Sequence, residues 1–86
     1  MRNGLVEFGN GDKVWYLNDL YHRVDGPAIE YLSGTKYWYQ NNLMHRTDGP
    51  AIEFYNGEKL WYLNGEQIHC NTNEEFFRLI KLKAFW

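Results

Sequence analysis

Residues 29–39 read Ile-Glu-Tyr-Leu-Ser-Gly-Thr-Lys-Tyr-Trp-Tyr, and this stretch decides the fold because the chain contains it three times. The other copies are VEFGNGDKVWY at residues 6–16 and IEFYNGEKLWY at residues 52–62, so the period is 23 residues. All three share a β-branched residue, Glu and an aromatic residue, followed by Gly, Lys and Trp-Tyr. Self-similarity at a fixed period is the signature of a repeat protein.

Each copy predicts a β-hairpin. Asn10-Gly11, Ser33-Gly34 and Asn56-Gly57 lie between aromatic and β-branched runs, which is a strong hairpin signal. Two registers fit. A two-residue turn puts Ile29 and Tyr31 on one face with Lys36 and Trp38, whereas a three-residue loop ending in a left-handed Gly sets Glu30 opposite Lys36. Because a Glu and a Lys recur together in all three copies, cross-strand ion pairing favours the three-residue loop.

A second unit, His-Arg-x-Asp-Gly-Pro-Ala-Ile-Glu, joins the hairpins at residues 22–30 and 45–53. Its Asp can bind nearby backbone, its Gly allows an unusual φ, and its Pro can start the next strand. Pairs of turn-forming residues precede it at 18–19, 41–42 and 64–65. We therefore expect a meander in which each hairpin adds two strands and equivalent residues form Trp, Tyr and Lys rows.

The third repeat departs from this pattern. His69-Cys70 stands where His-Arg is expected, and Thr72 to Glu75 matches a capping box before an amphipathic run. The fold class predicted for the chain is thus mainly β: an antiparallel meander of three repeated β-hairpins with one C-terminal capping α-helix. We expect a single domain over residues 1–86, with the array at 5–69 and the helix at 72–83 covering an open end of the sheet.

Composition excludes several classes of function. Nine basic and eleven acidic residues give a net charge of −2 without a basic stripe, so we do not expect nucleic-acid binding. The single cysteine, Cys70, rules out an internal disulfide and favours a reducing compartment. The N-terminus lacks an apolar signal-peptide core, and no apolar run approaches the roughly 20 residues of a membrane span. A cytoplasmic protein is expected.

The repeated histidines and aspartates are possible metal ligands, but the distance between successive repeats argues against a shared metal site. His22 with Asp25 and His45 with Asp48 are repeated ligand types, but successive copies on a sheet lie roughly 10 Å apart. The simpler expectation is that each His packs beside its loop while each Arg pairs with an acidic neighbour. Ser33 has no catalytic motif around it, and His69 and Cys70 point to opposite faces of an extended segment. We expect no metal, no cofactor and no catalytic residues.

Binding is therefore the expected function, and the aromatic rows are its candidates. A helix of about ten residues spans roughly 15 Å, too little to cover both sheet faces, so some aromatic surface should stay exposed. Whether the Trp row is core or interface stays open. The candidate binding residues are the two aromatic rows and the charged residues beside them: Trp15, Trp38, Trp61, Tyr16, Tyr39, Tyr62, Arg23, Arg46, Glu30 and Glu53.

The run Trp-Tyr-x-Asn-x-x-x-His and the 23-residue period resemble MORN repeats, which are hairpin units stacked into an elongated sheet. The unit His45–Tyr62 is similar to arrays in uncharacterised phage, giant-virus and bacterial proteins. Here Arg-x-Asp-Gly-Pro replaces the usual Gly-x-Gly, which argues against carrying over lipid association. The resemblance implies a binding scaffold.

In its most concrete form, this scaffold is a phage accessory protein that binds and inhibits a host defence factor in the host cytoplasm, as anti-CRISPR proteins do. Two alternatives stay open: a small-ligand or nucleotide binder that uses the aromatic rows with Arg23 or Arg46, and a structural repeat that self-assembles through its sheet edges or aromatic face.

Overall fold

The chain folds as a mainly β protein with one C-terminal helix. The computed structural model describes residues 1–83, and within them it has ten strands and one helix. In chain order these are β1 (Gly4–Glu7), β2 (Lys13–Leu17), β3 (Leu20–Tyr21), β4 (Ile29–Glu30), β5 (Lys36–Tyr37), β6 (Tyr39–Gln40), β7 (Leu43–Met44), β8 (Ile52–Glu53), β9 (Lys59–Leu63), β10 (Glu66–Ile68) and α1 (Asn73–Lys83).

The predicted meander of three repeated hairpins is confirmed. The hairpins are β1-β2, β4-β5 and β8-β9, and neighbouring hairpins pair antiparallel through β2-β4 and β5-β8. The residues after each Asn turn also fold back as short strands: β3 on β2, β7 on β6 and β10 on β9. These additional pairings raise the strand number above the six that three hairpins supply. Extents of 42 × 29 × 17 Å show that the molecule is flat.

The hairpin register is the one with a three-residue loop. Glu30 lies opposite Lys36, and the equivalent Glu and Lys residues of the other two hairpins pair in the same way. Gly11, Gly34 and Gly57 end the three loops with φ values of 98°, 103° and 92°, in the region that favours glycine. The Gly in each copy is therefore required by the backbone.

The Asn-rich turns are tight and bind the next repeat to the previous one. Asn41 and Asn42 have φ values of 51° and 67°, as expected when two left-handed residues form a two-residue hairpin loop. The backbone amide of Asn41 donates to Nδ1 of His22 at 3.0 Å, and that of Asn64 donates to Nδ1 of His45 at the same distance. His22 and His45 thus each hold the turn of the following repeat, in agreement with the structural role expected for them.

The expectation of an unusual φ at the Gly of Asp-Gly-Pro is wrong. Neither Gly26 nor Gly49 has a left-handed φ. A Cβ at Gly26 would instead lie 2.8 Å from Cζ of Arg23, and one at Gly49 would lie 3.0 Å from Cζ of Arg46. Glycine is needed here because the guanidinium lies directly against the backbone.

The core is divided between the two faces of the sheet. On one face, Val14, Tyr16 and Ile29 form a buried cluster with partly buried Val6, Tyr37 and Tyr39 around it. On the other face, Trp61, Ile68 and Phe76 form a second cluster, to which α1 contributes the fully buried Phe76. The helix therefore covers the end of the array on one face, and among residues 1–83 the cluster on the other face is formed by strand residues alone.

Helix α1 begins where the capping box predicts. The hydroxyl of Thr72 accepts from the amide of Glu75 at 3.2 Å, and the carboxylate of Glu75 accepts from the amide of Asn71 at 2.7 Å. The alignment of the third linker needs one correction. Ile68 pairs with Trp61 as His22 pairs with Trp15, so Ile68 occupies the histidine position and His69 the arginine position.

Among residues 1–83 the structure has one helix, α1, which is eleven residues long. No helix within these residues is long and apolar enough to cross a membrane.

Candidate functional site

The two aromatic rows lie on opposite faces of the sheet. Trp15 and Tyr16 are consecutive residues of β2, and consecutive strand residues point to opposite sides. We call the side of Trp15, Trp38 and Trp61 the Trp face, and the side of Tyr16, Tyr39 and Tyr62 the Tyr face. A single ligand can therefore contact only one of the two rows at a time.

On the Trp face, an arginine covers the indole ring in each of the first two repeats. The guanidinium carbon of Arg23 lies 3.9 Å from the ring centroid of Trp15, and that of Arg46 lies 4.0 Å from the centroid of Trp38. These distances are well within cation–π range. The backbone of Gly26 and Gly49 also lies close to these guanidinium groups, so each arginine is held near both an indole ring and the linker backbone.

The same arginines bind the acidic residues around them. Arg46 donates from Nε to Asp48 at 2.7 Å and from Nη1 to Glu53 at 2.7 Å, and Nη1 also donates to the Pro50 carbonyl at 3.1 Å. Arg23 repeats this arrangement with Asp25, Glu30 and Pro27 at 3.0, 3.4 and 3.2 Å.

The carboxylates of Glu30 and Glu53 thus pair with arginines of their own linkers, although the backbone places a lysine opposite each. The expected pairing of each arginine with an acidic neighbour is confirmed. The candidate binding residues Arg23, Arg46, Glu30 and Glu53 are consequently occupied with one another.

Trp61 belongs to the core. It is 4% exposed beneath α1, and its Nε1 donates to the side chain of Asn73 at 3.0 Å. Trp15 and Trp38 are half-buried under their arginines. The Trp row is therefore part of the internal packing: Trp15 and Trp38 pack against the linker arginines, and Trp61 packs against α1.

On the Tyr face, five tyrosine rings form a continuous belt. Neighbouring centroids are 5.3–6.3 Å apart, within the range of favourable aromatic pairs. In spatial order, the members of the tyrosine belt are Tyr16, Tyr21, Tyr39, Tyr37 and Tyr31. Tyr62 lies near the belt at Tyr39.

Three belt members were absent from the sequence-based set of candidates. Tyr21 lies opposite Tyr16 in the short β2-β3 pairing, which the meander of three hairpins does not include. Tyr37 lies opposite the buried Ile29, and Tyr31 is two residues beyond Ile29 on the same face. The three-residue loop puts Tyr37 opposite Ile29, and side chains alternate between faces along each strand. The sequence-based register together with this alternation could therefore have placed Tyr31 and Tyr37 on the Tyr face.

The belt is polar at its rim. No hydrogen bond within residues 1–83 occupies the hydroxyls of Tyr21, Tyr31, Tyr37 and Tyr39, whereas that of Tyr16 accepts from Arg2 at 3.2 Å. Burial raises the pKa of Tyr31 and Tyr39 above the ordinary value of 10.0, and the neighbouring tyrosines raise it further. These phenols therefore stay protonated at neutral pH and can both donate and accept.

Two members of the belt and two loop residues are exposed. Tyr21 and Tyr31 are 37% and 40% exposed, and the loop residues Leu32 and Tyr55, one repeat apart, are each 74% exposed. The amide of Tyr55 donates to the hydroxyl of Thr35 at 3.1 Å, so its backbone is fixed to the neighbouring loop. The hairpin loops thus present exposed apolar side chains on an ordered backbone.

Two grooves lie away from the belt. One, of about 430 Å³, lies between the two Asp-Gly-Pro linkers and is lined by Asp25, Trp38, Gln40, His45, Arg46 and Asp48 among others. The second, of about 400 Å³, lies beside β9 and includes Leu60, Trp61, His69, Cys70 and Glu75 in its lining. Burial, with a contribution from Glu75, raises the pKa of the Cys70 thiol, which disfavours the thiolate. Among residues 1–83, no three His, Cys, Asp or Glu side chains converge as a metal site.

Comparison with known proteins returned no match: no protein-family model, no curated protein and no solved structure resembles the chain. The similarity to MORN repeats therefore stays an expectation drawn from the residues themselves. The sheet, the tyrosine belt and the two grooves are the features from which a function is argued.

Proposed function

We propose that the chain is a non-enzymatic protein-binding module and that the tyrosine belt is the centre of its contact surface. The single observation that carries the proposal is the belt itself: five packed rings on the face opposite α1, of which Tyr21 and Tyr31 are 37% and 40% exposed. No hydrogen bond within residues 1–83 occupies the hydroxyls of four of the five. Tyrosine is enriched in protein interfaces and at their energetic hot spots. Small molecules prefer concave pockets, and the belt lies on a sheet surface.

The physical advantage of the belt is its preorganisation. Tyr21, Tyr39 and Tyr37 are in ring contact, so little side-chain freedom is left to lose when a partner binds. Rigid tyrosines supply a large apolar area and a hydrogen-bonding tip at low entropic cost, as they do in antibody loops.

The Trp face supports this assignment by contrast. Its arginines and acidic residues bind one another, and α1 covers its third indole. A partner that contacted this face would have to compete with those internal ion pairs. The Tyr face requires no such rearrangement.

The specific form of the proposal is a phage accessory protein that occludes a host defence protein in the host cytoplasm. This form comes from the similarity of the His-Arg-x-Asp-Gly-Pro units to phage arrays, and the belt supplies the surface through which such occlusion acts. The mechanism is steric, so it needs no catalytic group.

Affinity capture from a host lysate, followed by reconstitution with the purified partner, tests the proposal. The informative variants are Tyr21→Ser and Tyr31→Ser, which alter half-exposed belt residues, and the matched control is Val24→Ser, which alters a 75% exposed residue of a linker. We expect each tyrosine variant to weaken binding about 30-fold or more, equivalent to roughly 2 kcal/mol at a hot spot. Failure to recover a stoichiometric partner, or equal affinity of all variants, contradicts the proposal.

A further inference from the structure

The strands of neighbouring repeats join through one repeated pairing. The Lys-x-Trp stretch of β2 pairs with the next linker, with Lys13 opposite Glu30 and Val14 opposite Ile29. The amide of Trp15 then donates to the carbonyl of Ala28 at 2.7 Å. An Ala-Ile-Glu segment therefore completes the outer edge of the first hairpin.

The second hairpin is completed in the same way. Lys36 lies opposite Glu53, Tyr37 lies opposite Ile52, and the amide of Trp38 donates to the carbonyl of Ala51 at 2.7 Å. The segment that pairs with this edge is Ala-Ile-Glu in both repeats. The two internal copies therefore define the sequence that the edge accepts.

The third hairpin lacks this segment. Lys59 and Leu60 of β9 pair with β8 on one side, and β10 pairs with β9 from Trp61 onward. Within residues 1–83, no strand pairs with the other edge of Lys59 and Leu60, because the chain turns into α1 where a further Asp-Gly-Pro-Ala-Ile-Glu unit would lie. The edge that is filled twice in the array is open at its end.

The 400 Å³ groove lies at this open edge. Leu60 and Trp61 of β9 line it together with Gln67 and Ile68 of β10. The residues that follow β10, His69 to Asn71, complete the lining together with Glu75 from the first turn of α1. The groove therefore has the position of the missing strand.

We propose that this edge binds an extended segment of a partner protein by β-strand addition, and that the segment has the pattern small residue, β-branched residue, acidic residue. The inference rests on the proposed protein-binding function and gives it a second contact with a defined sequence preference. In strand addition, main-chain hydrogen bonds supply affinity and alternate side-chain positions supply specificity.

Each position of the pattern has a physical reason in the internal repeats. Ala28 and Ala51 are both 0% exposed, so the first position accepts a small side chain. Ile29 and Ile52 are 7% and 5% exposed, so the second is apolar and suited to a pleated surface. The third lies opposite Lys59, where an acidic residue makes a favourable cross-strand pair.

A second copy of the chain fits the edge less well. Its free N-terminal strand, β1, offers Leu5, Val6 and Glu7 in the equivalent positions. Leu5 is larger than the alanine required, and Gly4 has a φ of 83° where the internal repeats have proline. The pattern therefore points to a segment from another protein.

The test uses a synthetic peptide of residues 49–54, Gly-Pro-Ala-Ile-Glu-Phe, added to the full-length protein and followed by backbone-amide NMR. We expect saturable shifts concentrated at Lys59, Leu60 and Trp61 as the peptide concentration approaches about 1 mM. Replacing the peptide alanine by leucine should abolish them. Absence of saturable shifts at these three amides overturns the proposal.

A charge exchange provides the specific control. Lys59→Glu should weaken binding of the peptide about tenfold, and a peptide with lysine in place of glutamate should restore it. Lys81→Glu makes the same change of charge on an exposed position of α1 and should leave binding unchanged. Equal binding to the wild type, Lys59→Glu and Lys81→Glu proteins overturns the assigned register.

Two further outcomes separate this inference from the proposed function. If a partner is captured through the tyrosine belt while the peptide does not bind, the edge inference fails and the function stands. If the peptide binds but no partner depends on the belt, the proposed function fails and the edge stands. Light scattering that shows a concentration-dependent dimer, broken by Lys59→Glu, would overturn the assignment to another protein in favour of a second copy.

Discussion

The guanidinium carbon of Arg46 lies 4.0 Å from the ring centroid of Trp38. The backbone at Gly49 also lies so close to this group that an added Cβ would come within 3.0 Å of the same carbon. An indole ring and a linker backbone therefore both constrain the guanidinium in each of the first two linkers. This arrangement gives the Asp-Gly-Pro motif a physical requirement that can be tested by mutation.

Gly49→Ala should lower the free energy of unfolding by about 1–3 kcal/mol through overpacking against Arg46. Because Arg46 causes the clash, most of that cost should disappear in an Arg46→Ala background. The measurement is a double-mutant cycle by urea denaturation. Gly57→Ala is the matched control: its Cβ would meet no atom within 4 Å but its φ is 92°, so its cost should be the same with and without Arg46.

Arg46→Ala should destabilise the protein more than Arg23→Ala, by about 2 against about 1 kcal/mol. Both arginines cover an indole, but Arg46 binds Glu53 at 2.7 Å, whereas Arg23 binds Glu30 at 3.4 Å. Arg46→Lys should recover little of the loss, because an ammonium cannot keep the planar set of contacts to Asp48, Glu53 and the indole. Chemical denaturation of the three variants checks this order, and equal costs for the two alanine variants would contradict it.

Phe76→Ala should lower the free energy of unfolding by about 3–5 kcal/mol, since Phe76 is 0% exposed between α1 and Trp61. The neighbouring Phe77 is 36% exposed, and Phe77→Ala should cost less than about 1 kcal/mol. Thermal and urea unfolding of both variants measure the difference. Comparable losses would show that α1 does not pack on the array through Phe76.

The free energy of unfolding should fall as the pH rises above about 10. The pKa values of Tyr31 and Tyr39 are raised in the folded protein, first by burial and then by neighbouring tyrosines. Their contribution is complete below the unfolded value of 10.0, because both states are then protonated. Above it the unfolded chain loses protons first, so stability declines until the pH passes the folded pKa.

Urea titrations at several pH values between about 8 and 11 measure that decline. The double variant Tyr31→Phe and Tyr39→Phe should show a shallower decline than the wild type. A slope that is the same in the double variant would assign the pH dependence to other groups.

The fold was largely accessible from the sequence because each element had a local physical signal. The repeated Asn-Gly and Ser-Gly turns predicted the hairpins, the recurring Glu and Lys predicted the register, and Thr72 with Glu75 predicted the start of α1. The inference of cross-strand ion pairing led to the right register even though Glu30 and Glu53 bind arginines. Backbone pairing constrains residue positions, and a long arginine side chain can still reach the carboxylate.

The candidate site was less accessible because its residues meet through non-local pairing. Tyr21 joins the belt through a two-residue strand, and its ring contacts Tyr39 from the next repeat. Gly26 and Gly49 were assigned an unusual φ since nothing in the sequence shows how near an arginine lies to the backbone. The sequence also does not show that Arg23 and Arg46 cover Trp15 and Trp38, since this cover depends on the path of the linkers. For that reason the sequence alone makes both tryptophans candidates for binding.

The hydrogen bonds from the amides of Asn41 and Asn64 to the preceding histidines affect how the length of the molecule can change. Every such bond, like every strand pairing between hairpins, joins one unit to its immediate neighbour. Duplication of a 23-residue segment in the gene would therefore preserve both ends of the protein and add two strands, or about 10 Å, to its span. The number of 23-residue units would therefore set the length of the sheet in steps of two strands.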